Sequence, residues 1–186
     1  MNNAFKIESD SSLIIATGKG DHKAFELLVQ RHSTTLFNFL LRYLRDRTAA
    51  EDILQEVFIR IYTTAHKFKK KADIKASSWI FKIAYNLSMN EIKRVKRYKQ
   101  FCDEFYQNMK NFGKKKHLDK FKEWEIKTEI VAALSLLPEN QMAALYLRVN
   151  EGYSYREISE IMNRSIPGVE SLIFRARISL KKHLKS

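Results

Sequence analysis

One cysteine, two prolines and five glycines are all that 186 residues contain. Cys102 has no partner for an intrachain disulfide, which excludes a disulfide-stapled secreted domain and points to a reducing compartment. The shortage of Gly and Pro argues against a turn-rich β protein and for helices. Acid is scarce too: 21 Asp plus Glu stand against 34 Lys plus Arg, a formal net charge of +13. That excess favours a polyanionic partner, either nucleic acid or an acidic membrane surface. No stretch approaches the roughly 20 apolar residues of a membrane span. Met1 to Asp10 lacks the basic-then-apolar order of a signal peptide. The histidines (His22, His32, His66, His117 and His183) are scattered without the paired spacing of a zinc site. A Gly-rich phosphate loop and a nucleophile elbow are missing as well. No metal, cofactor or catalytic residue is therefore expected. With 45% apolar residues the chain can build compact cores. The expectation is a basic, helical, non-enzymatic, cytoplasmic protein without membrane insertion.

Helical periodicity is present in several segments. After a polar leader over 1–20, Asp21 can cap a helix with Phe25, Leu28, Val29, His32, Leu36, Leu40 and Tyr43 on one stripe. Thr48 is the expected cap of the next, whose stripe is Ile53, Leu54, Val57, Phe58, Ile61, Tyr62 and Ala65. Lys67 to Lys75 is a basic loop with five Lys and one Asp. Ser77 or Ser78 then opens a third helix with Trp79, Ile80, Ile83, Ala84 and Leu87 on one face. It runs into Lys93–Lys99, five positive charges in seven residues. From about Gln100 to Glu123 the apolar rhythm fades, and Gly113 with Lys114-Lys-Lys marks a flexible linker. Ile126, Ile130, Val131, Leu134 and Leu137 restore the rhythm, and Pro138 and Gly152 bound a further helix. Two helical domains joined by a charged tether are expected, with boundaries 21–99, 100–123 and 124–186. Such a tether is flexible enough to let the two domains pack on each other.

The C-terminal domain closes with a short helix, a turn and a basic helix. Ser154 and Glu157 have capping-box spacing. Asn163-Arg-Ser interrupts the rhythm, Ser165 can cap the second helix, and Pro167 is tolerated in its first turn. Val169, Leu172, Ile173 and Ala176 should face the partner helix, while Arg175, Arg177, Lys181, Lys182 and Lys185 carry phosphate-seeking charge. Such a pair can lay its second helix in the major groove, although many helix–turn–helix pairs touch no nucleic acid. Two further clusters stand out. Glu51, Asp52, Gln55 and Glu56 concentrate acid on the second helix, either as a solvated face or as a docking surface for a protein. Trp79, Phe81 and Tyr85 lie among cations, the combination that holds single-stranded nucleic acid. Trp79 falls on the core stripe; Phe81 and Tyr85 lie on another flank.

Ala49-Ala-Glu-Asp-Ile-Leu-Gln-Glu-Val-Phe-Ile-Arg, Ser78-Trp-Ile-Phe-Lys-Ile-Ala-Tyr-Asn, Leu134-x-x-Leu-Pro-Glu-Asn-Gln and the Tyr155–Arg177 pair together resemble a bacterial sigma factor. The order and spacing are similar to those of the small extracytoplasmic-function group, which keeps only the second and fourth conserved regions. The match runs from Asp21 to Leu184. The resemblance implies an all-α protein that binds core RNA polymerase and directs initiation at promoters with −10 and −35 elements. It implies that Glu51, Asp52, Gln55, Glu56 and Ile59 dock on the β′ clamp helices, with the β flap as a second contact. It assigns the −10 element to Lys69, Lys70, Lys71, Lys75, Lys82, Tyr85, Asn86, Lys93, Arg94 and Arg97. It assigns the −35 element to Ser165, Gly168, Glu170, Ser171, Phe174, Arg175, Arg177 and Lys181. An anti-sigma protein is a further partner the family admits.

Glu170 and Leu172 depart from the pattern, since many family members carry basic residues there. Glu can accept from cytosine N4 and Leu can touch a thymine methyl, so an unusual −35 preference is expected. Ser159 also replaces a commonly small apolar residue. A stand-alone helix-turn-helix regulator acting as a dimer is the main alternative; it leaves the acidic face and the Lys67–Lys75 loop unexplained. A general basic RNA-binding protein is a third, and it would be indifferent to promoter sequence.

Overall fold

The computed structural model describes residues 9–108, 133–134 and 136–183, and the architecture among them is all-α. An N-terminal bundle contains α1 (Asp10–Gly18), α2 (His22–Leu44), α3 (Arg47–Thr64), a 3-10 turn at Ala65–Lys67 and α4 (Ala76–Asn108). The C-terminal part contains α5 (Glu139–Val149), α6 (Tyr155–Met162) and α7 (Ile166–His183).

Local chemistry explains most boundaries. Asp21 accepts from the backbone N–H groups of Lys23 and Ala24 and starts α2. The cap of α3 is Asp46 and not the expected Thr48; its carboxylate accepts from Ala49 N at 2.8 Å. The leader is not wholly irregular either. Ser9 caps α1, whose Leu13 and Ile14 are fully buried. That helix breaks off at Gly18, where an added Cβ would lie 2.8 Å from the backbone of both Ala65 and His66. The close approach ties α1 to the turn that begins the basic loop. Helix α4 starts at Ala76, just before the expected Ser77 or Ser78, and continues to Asn108. The first nine residues of the expected linker, 100–108, are thus helical. No Gly or Pro occurs within α4 to stop it. The rest of that linker lies outside the described residues.

The bundle core joins Leu28, Leu36, Phe39 and Leu40 of α2 to Val57 and Ile61 of α3 and to Ile80, Phe81, Ala84 and Tyr85 of α4. Burial of each such side chain contributes about 1.5–3 kcal/mol. In the C-terminal part, Ser154 and Glu157 form the expected capping box, and Ser165 accepts from Gly168 N at 3.3 Å. Asn163 takes a left-handed conformation at φ 50°, which turns the chain between α6 and α7.

The two parts pack against each other along one seam. Phe39 meets Tyr146 with ring centroids 5.6 Å apart, and Phe81 meets Tyr153 at 5.5 Å. Asn140 Oδ1 accepts from Tyr85 OH at 3.0 Å and from Tyr43 OH at 3.4 Å. Arg45 Nη2 donates to Leu137 O at 2.6 Å, and Tyr153 OH pairs with Ser77 Oγ at 2.9 Å. Glu157 has a second task here: its Oε1 accepts from Lys75 N at 2.8 Å while Oε2 accepts from Ser154 N at 2.8 Å. Ion pairs line the rim: Lys71 with Glu160 (2.8 Å), Lys96 with Glu139 (3.1 Å) and Arg156 with Asp73 (3.5 Å).

Two outcomes are expected. Gly18→Ala should destabilise the protein by about 1–3 kcal/mol, because the clash is with backbone and not with a yielding side chain; urea unfolding measures it. The second concerns pH. Burial works to raise the Glu157 pKa, but the N–H groups of Lys75 and Ser154 outweigh it and hold the carboxyl below 4.5. Glu139 and Glu160 are lowered as well, each beside its lysine. A depressed folded-state pKa gives stability that is full above the ordinary carboxylate range and is lost as pH falls through the folded value. Stability should therefore drop between about pH 5 and 3. In Glu157→Gln, which keeps an acceptor but cannot titrate, that drop should be shallower.

Candidate nucleic-acid interface

Three surfaces carry the residues singled out from the sequence. On α3, Glu51, Asp52, Gln55, Glu56 and Ile59 are all exposed, Ile59 to 63%. Arg47 pairs with Glu51 at 2.8 Å and Arg60 approaches Glu56 at 4.0 Å. Both are exposed (i, i+4) pairs, which hold a carboxylate only weakly. Beside the acid runs an open groove lined by Phe25, Val29, Phe58, Ile59, Tyr62 and the stems of Gln55 and Thr63. Phe25 stands edge-on to Phe58 (6.4 Å) and to Tyr62 (5.1 Å), which fixes the groove wall. An apolar trough edged by carboxylates has the make-up of a protein contact, with a hydrophobic centre and a polar rim. The periodic stripes placed Phe25, Val29, Phe58 and Tyr62 in the core; their partial exposure depends on how α2 and α3 splay, which spacing alone does not give.

The second surface is the basic loop and the adjoining face of α4. Lys69, Lys70, Lys71 and Lys75 are exposed on the segment between the 3-10 turn and α4. Phe68 packs edge-on against Trp79 at 5.5 Å and anchors that segment. Trp79 is half-buried against the core, in line with its place on the stripe. Phe81 and Tyr85 are both buried, Tyr85 to 0% exposure, beneath α5 and the Tyr153 ring. Burial raises the Tyr43 and Tyr85 hydroxyls above the ordinary tyrosine value, and both donate to Asn140. Lys82 is half-buried, and Asn86 is exposed. Asn86 and Lys93 face Asn163 and Arg164 across a polar cleft at the seam. Further along α4, Lys93, Arg94 and Arg97 are exposed, with Arg94 forked onto Glu91 at 2.8 and 2.7 Å. Most of the loop and α4 cations are thus exposed, whereas Phe81 and Tyr85 are covered.

The third surface is the outer side of α7. Glu170, Phe174, Arg175, Arg177 and Lys181 are exposed there, and Ser165 and Gly168 sit at its capped start. Ser171 Oγ accepts from Arg175 Nε (3.2 Å) and Nη2 (2.7 Å), which holds that guanidinium along the helix. Leu172 is half-buried against the core, in line with its place on the stripe. Phe174 is the most exposed apolar side chain on that side, at 66%. Val169, Ile173 and Ala176 are buried on the opposite side, as their spacing requires.

Comparison with known proteins matches these parts one by one. Residues 28–98 fit the family model for sigma-70 region 2, and residues 127–180 fit that for sigma-70 region 4. The chain is 30% identical to the RNA polymerase sigma-H factor of Pseudomonas aeruginosa over 185 residues, covering 96% of this chain and 95% of that one. It is 31% identical to the ECF RNA polymerase sigma-E factor of Escherichia coli K12 over 176 residues, 91% of each chain. Its fold is similar to that of the sigma factor RpoE of Bartonella quintana solved with the anti-sigma factor NepR. The TM-score there is 0.68 at 22% identity, covering 88% of this chain and 98% of that one. A similar likeness holds to CnrH in complex with the cytosolic domain of CnrY (TM-score 0.66, 20% identity, 96% and 98% covered). With both conserved regions in order on one chain, and relatives matched end to end, the protein belongs to the sigma-70 family of RNA polymerase sigma factors, in its extracytoplasmic-function group.

Proposed function

We propose that this chain is a promoter-specificity subunit of RNA polymerase, which binds the core enzyme and directs initiation at promoters with −10 and −35 elements. The observation that carries this reading is the acidic, apolar-edged face of α3 in a protein of net charge +13. DNA repels such a face, so the partner we assign to it is a protein. In this reading Glu51, Asp52, Gln55, Glu56 and Ile59 dock on the clamp helices of the β′ subunit. Ile59 and the groove supply the desolvated centre, and the carboxylates set the orientation. The β flap is the second polymerase contact, on the C-terminal domain over 124–186.

DNA takes the other two surfaces. The N-terminal domain over 21–99 captures the −10 element. Lys69, Lys70, Lys71 and Lys75 follow the strand, Asn86 meets a base, Tyr85 does so only once α5 moves off it, and Lys82, Lys93, Arg94 and Arg97 neutralise phosphates. Separating a base from its stack costs a few kcal/mol. Cations and aromatic surface on one strand help offset that. On the C-terminal domain, α7 enters the major groove at the −35 element. Arg175, Arg177 and Lys181 fix its register on phosphates, and Glu170 and Phe174 read base edges. Sigma factors are non-enzymatic initiation factors, and polymerase supplies the chemistry. An anti-sigma protein is the regulatory partner this reading admits, and the cytoplasm is where it places the protein.

Run-off transcription with purified core polymerase tests the docking face, on promoters found by genomic footprinting. Wild type should start specific transcripts, and Asp52→Arg/Glu56→Arg should lose at least about tenfold while staying folded. Duplex binding without polymerase, combined with no transcripts from either protein, would favour a stand-alone regulator instead. Binding-site selection tests Glu170. A cytosine should be enriched opposite it, and Glu170→Arg should shift that position toward guanine with a discrimination of about 1–3 kcal/mol. Recovery of the same −35 sequence by both proteins would count against a reading role for this residue.

A further inference from the structure

Several cations along the seam are answered by a carboxylate. Lys71 has Glu160, Lys96 has Glu139 and Arg156 has Asp73. The polar cleft between α4 and the α6–α7 turn is different. On α4, Asn86, Asn90 and Lys93 line it at i, i+4 and i+7, which is one stripe of the helix. Asn163 and Arg164 line it from the turn, and no carboxylate is among its lining residues. Ion pairs on this part of α4 go to Arg94 and Lys96, not to Lys93. The Arg164 guanidinium is close enough to Tyr85 to oppose the rise of that hydroxyl, so this exposed side chain turns toward the seam. Two positive charges thus converge on one hollow. They repel each other unless an anion lies between them. Helix α7 starts at Ile166, just past Arg164, and its positive end adds to the same field. The hollow measures about 340 Å³, within the range of small-ligand pockets, about 300–1,000 Å³.

We propose that this cleft is a binding site for a small polyphosphate anion, with Lys93 and Arg164 on its phosphates. Each residue type suits that task. A guanidinium offers paired donors to phosphate oxygens, and an ammonium acts as a point charge beside it. The carboxamides of Asn86, Asn90 and Asn163 both donate and accept, so they can meet the remaining polar atoms. Inorganic pyrophosphate and a nucleoside polyphosphate share this phosphate chemistry. Half-buried Met89 and buried Met162 add an apolar part to the cleft. Thioether sulfur packs well against aromatic rings, which favours the nucleotide. The site goes beyond the promoter reading, which gives Arg164 no role. It shares Asn86 and Lys93 with the −10 assignment, so an anion held there competes with a DNA phosphate for Lys93.

Isothermal titration calorimetry on the full-length chain tests this, with ATP, GTP and inorganic pyrophosphate as probes at physiological salt. Saturable binding at one site is expected. Lys93→Gln and Arg164→Gln change exposed side chains and spare the core, and each should weaken binding about tenfold. Lys19→Gln/Lys23→Gln removes twice that charge around the start of α2, outside the cleft, and should leave the affinity unchanged. Tenfold tighter binding of ATP or GTP than of pyrophosphate identifies the ligand as a nucleotide. Equal affinities identify it as an inorganic polyphosphate. No saturation at about 1 mM of any probe would overturn the proposal, as would an equal loss in the Lys19/Lys23 variant. Fluorescence anisotropy with a labelled single-stranded oligonucleotide supplies the last arm. A strand that binds through Lys93 while no small anion does assigns that lysine to DNA alone and removes the site. The titration needs no polymerase, so a failure of run-off transcription leaves its outcome untouched.

Discussion

The ring of Phe39 is the common point of the molecule. It stacks on Tyr43 within α2, meets Phe81 of α4 edge-on and lies against Tyr146 of α5, with centroids between 5.6 and 5.7 Å in each case. The first two contacts belong to the N-terminal bundle, and the third joins that bundle to the C-terminal part. A single buried aromatic row thus sets the angle of α4 against α2 and gives α5 its seat. The Asn140 and Tyr153 contacts of the seam lie beside this row, through Tyr43 and Phe81. Water is kept from the centre, so the tyrosine hydroxyls need protein partners, and Asn140 is what they find.

Charge is sorted just as strictly. Acid concentrates on the outer face of α3 and on the α5–α6 side of the seam, while cations fill the loop, the far half of α4 and the end of α7. The two acidic groups have different surroundings. Those on α3 face solvent beside an apolar trough and are available to a partner molecule. Glu139, Glu157 and Glu160 are already engaged by lysines or backbone of the same chain. One sign of charge therefore serves an external contact in one place and an internal one in another.

Much of this could be read from residues alone. The Ser154–Glu157 capping box, the break at Asn163 and the buried stripe of α7 are local matters, and spacing reports them well. Fold class follows from the same periodicities with little Gly or Pro to interrupt them. Short or tertiary features were harder. Helix α1 is short, and its Leu13-Ile-Ile-Ala run gives no clear face, so Ser9 was its only local cue. The cap of α3 fell to Asp46 because Arg45, in a left-handed conformation, ends α2 one residue earlier. Within the site, exposed cations and carboxylates were visible as types at spacings. The burial of Tyr85 was not, because what covers it comes from residues about 55 positions away. No helical period encodes that.

The two bonds held by Glu157 have a consequence for how this architecture can be recombined. Helix–turn–helix modules look interchangeable, since each carries its own cap, core and reading helix. Here the residue that starts α6 also terminates a backbone donor of the basic loop, and Asn140 ends two hydroxyls on the neighbouring bundle. A chimera that takes its C-terminal module from a relative would inherit a working recognition helix. Without an acceptor at each of those two positions, it would also leave buried donors unmatched in the other half. Modularity in this chain therefore stops at the reading surface, and the inward side of the module is built as part of its neighbour.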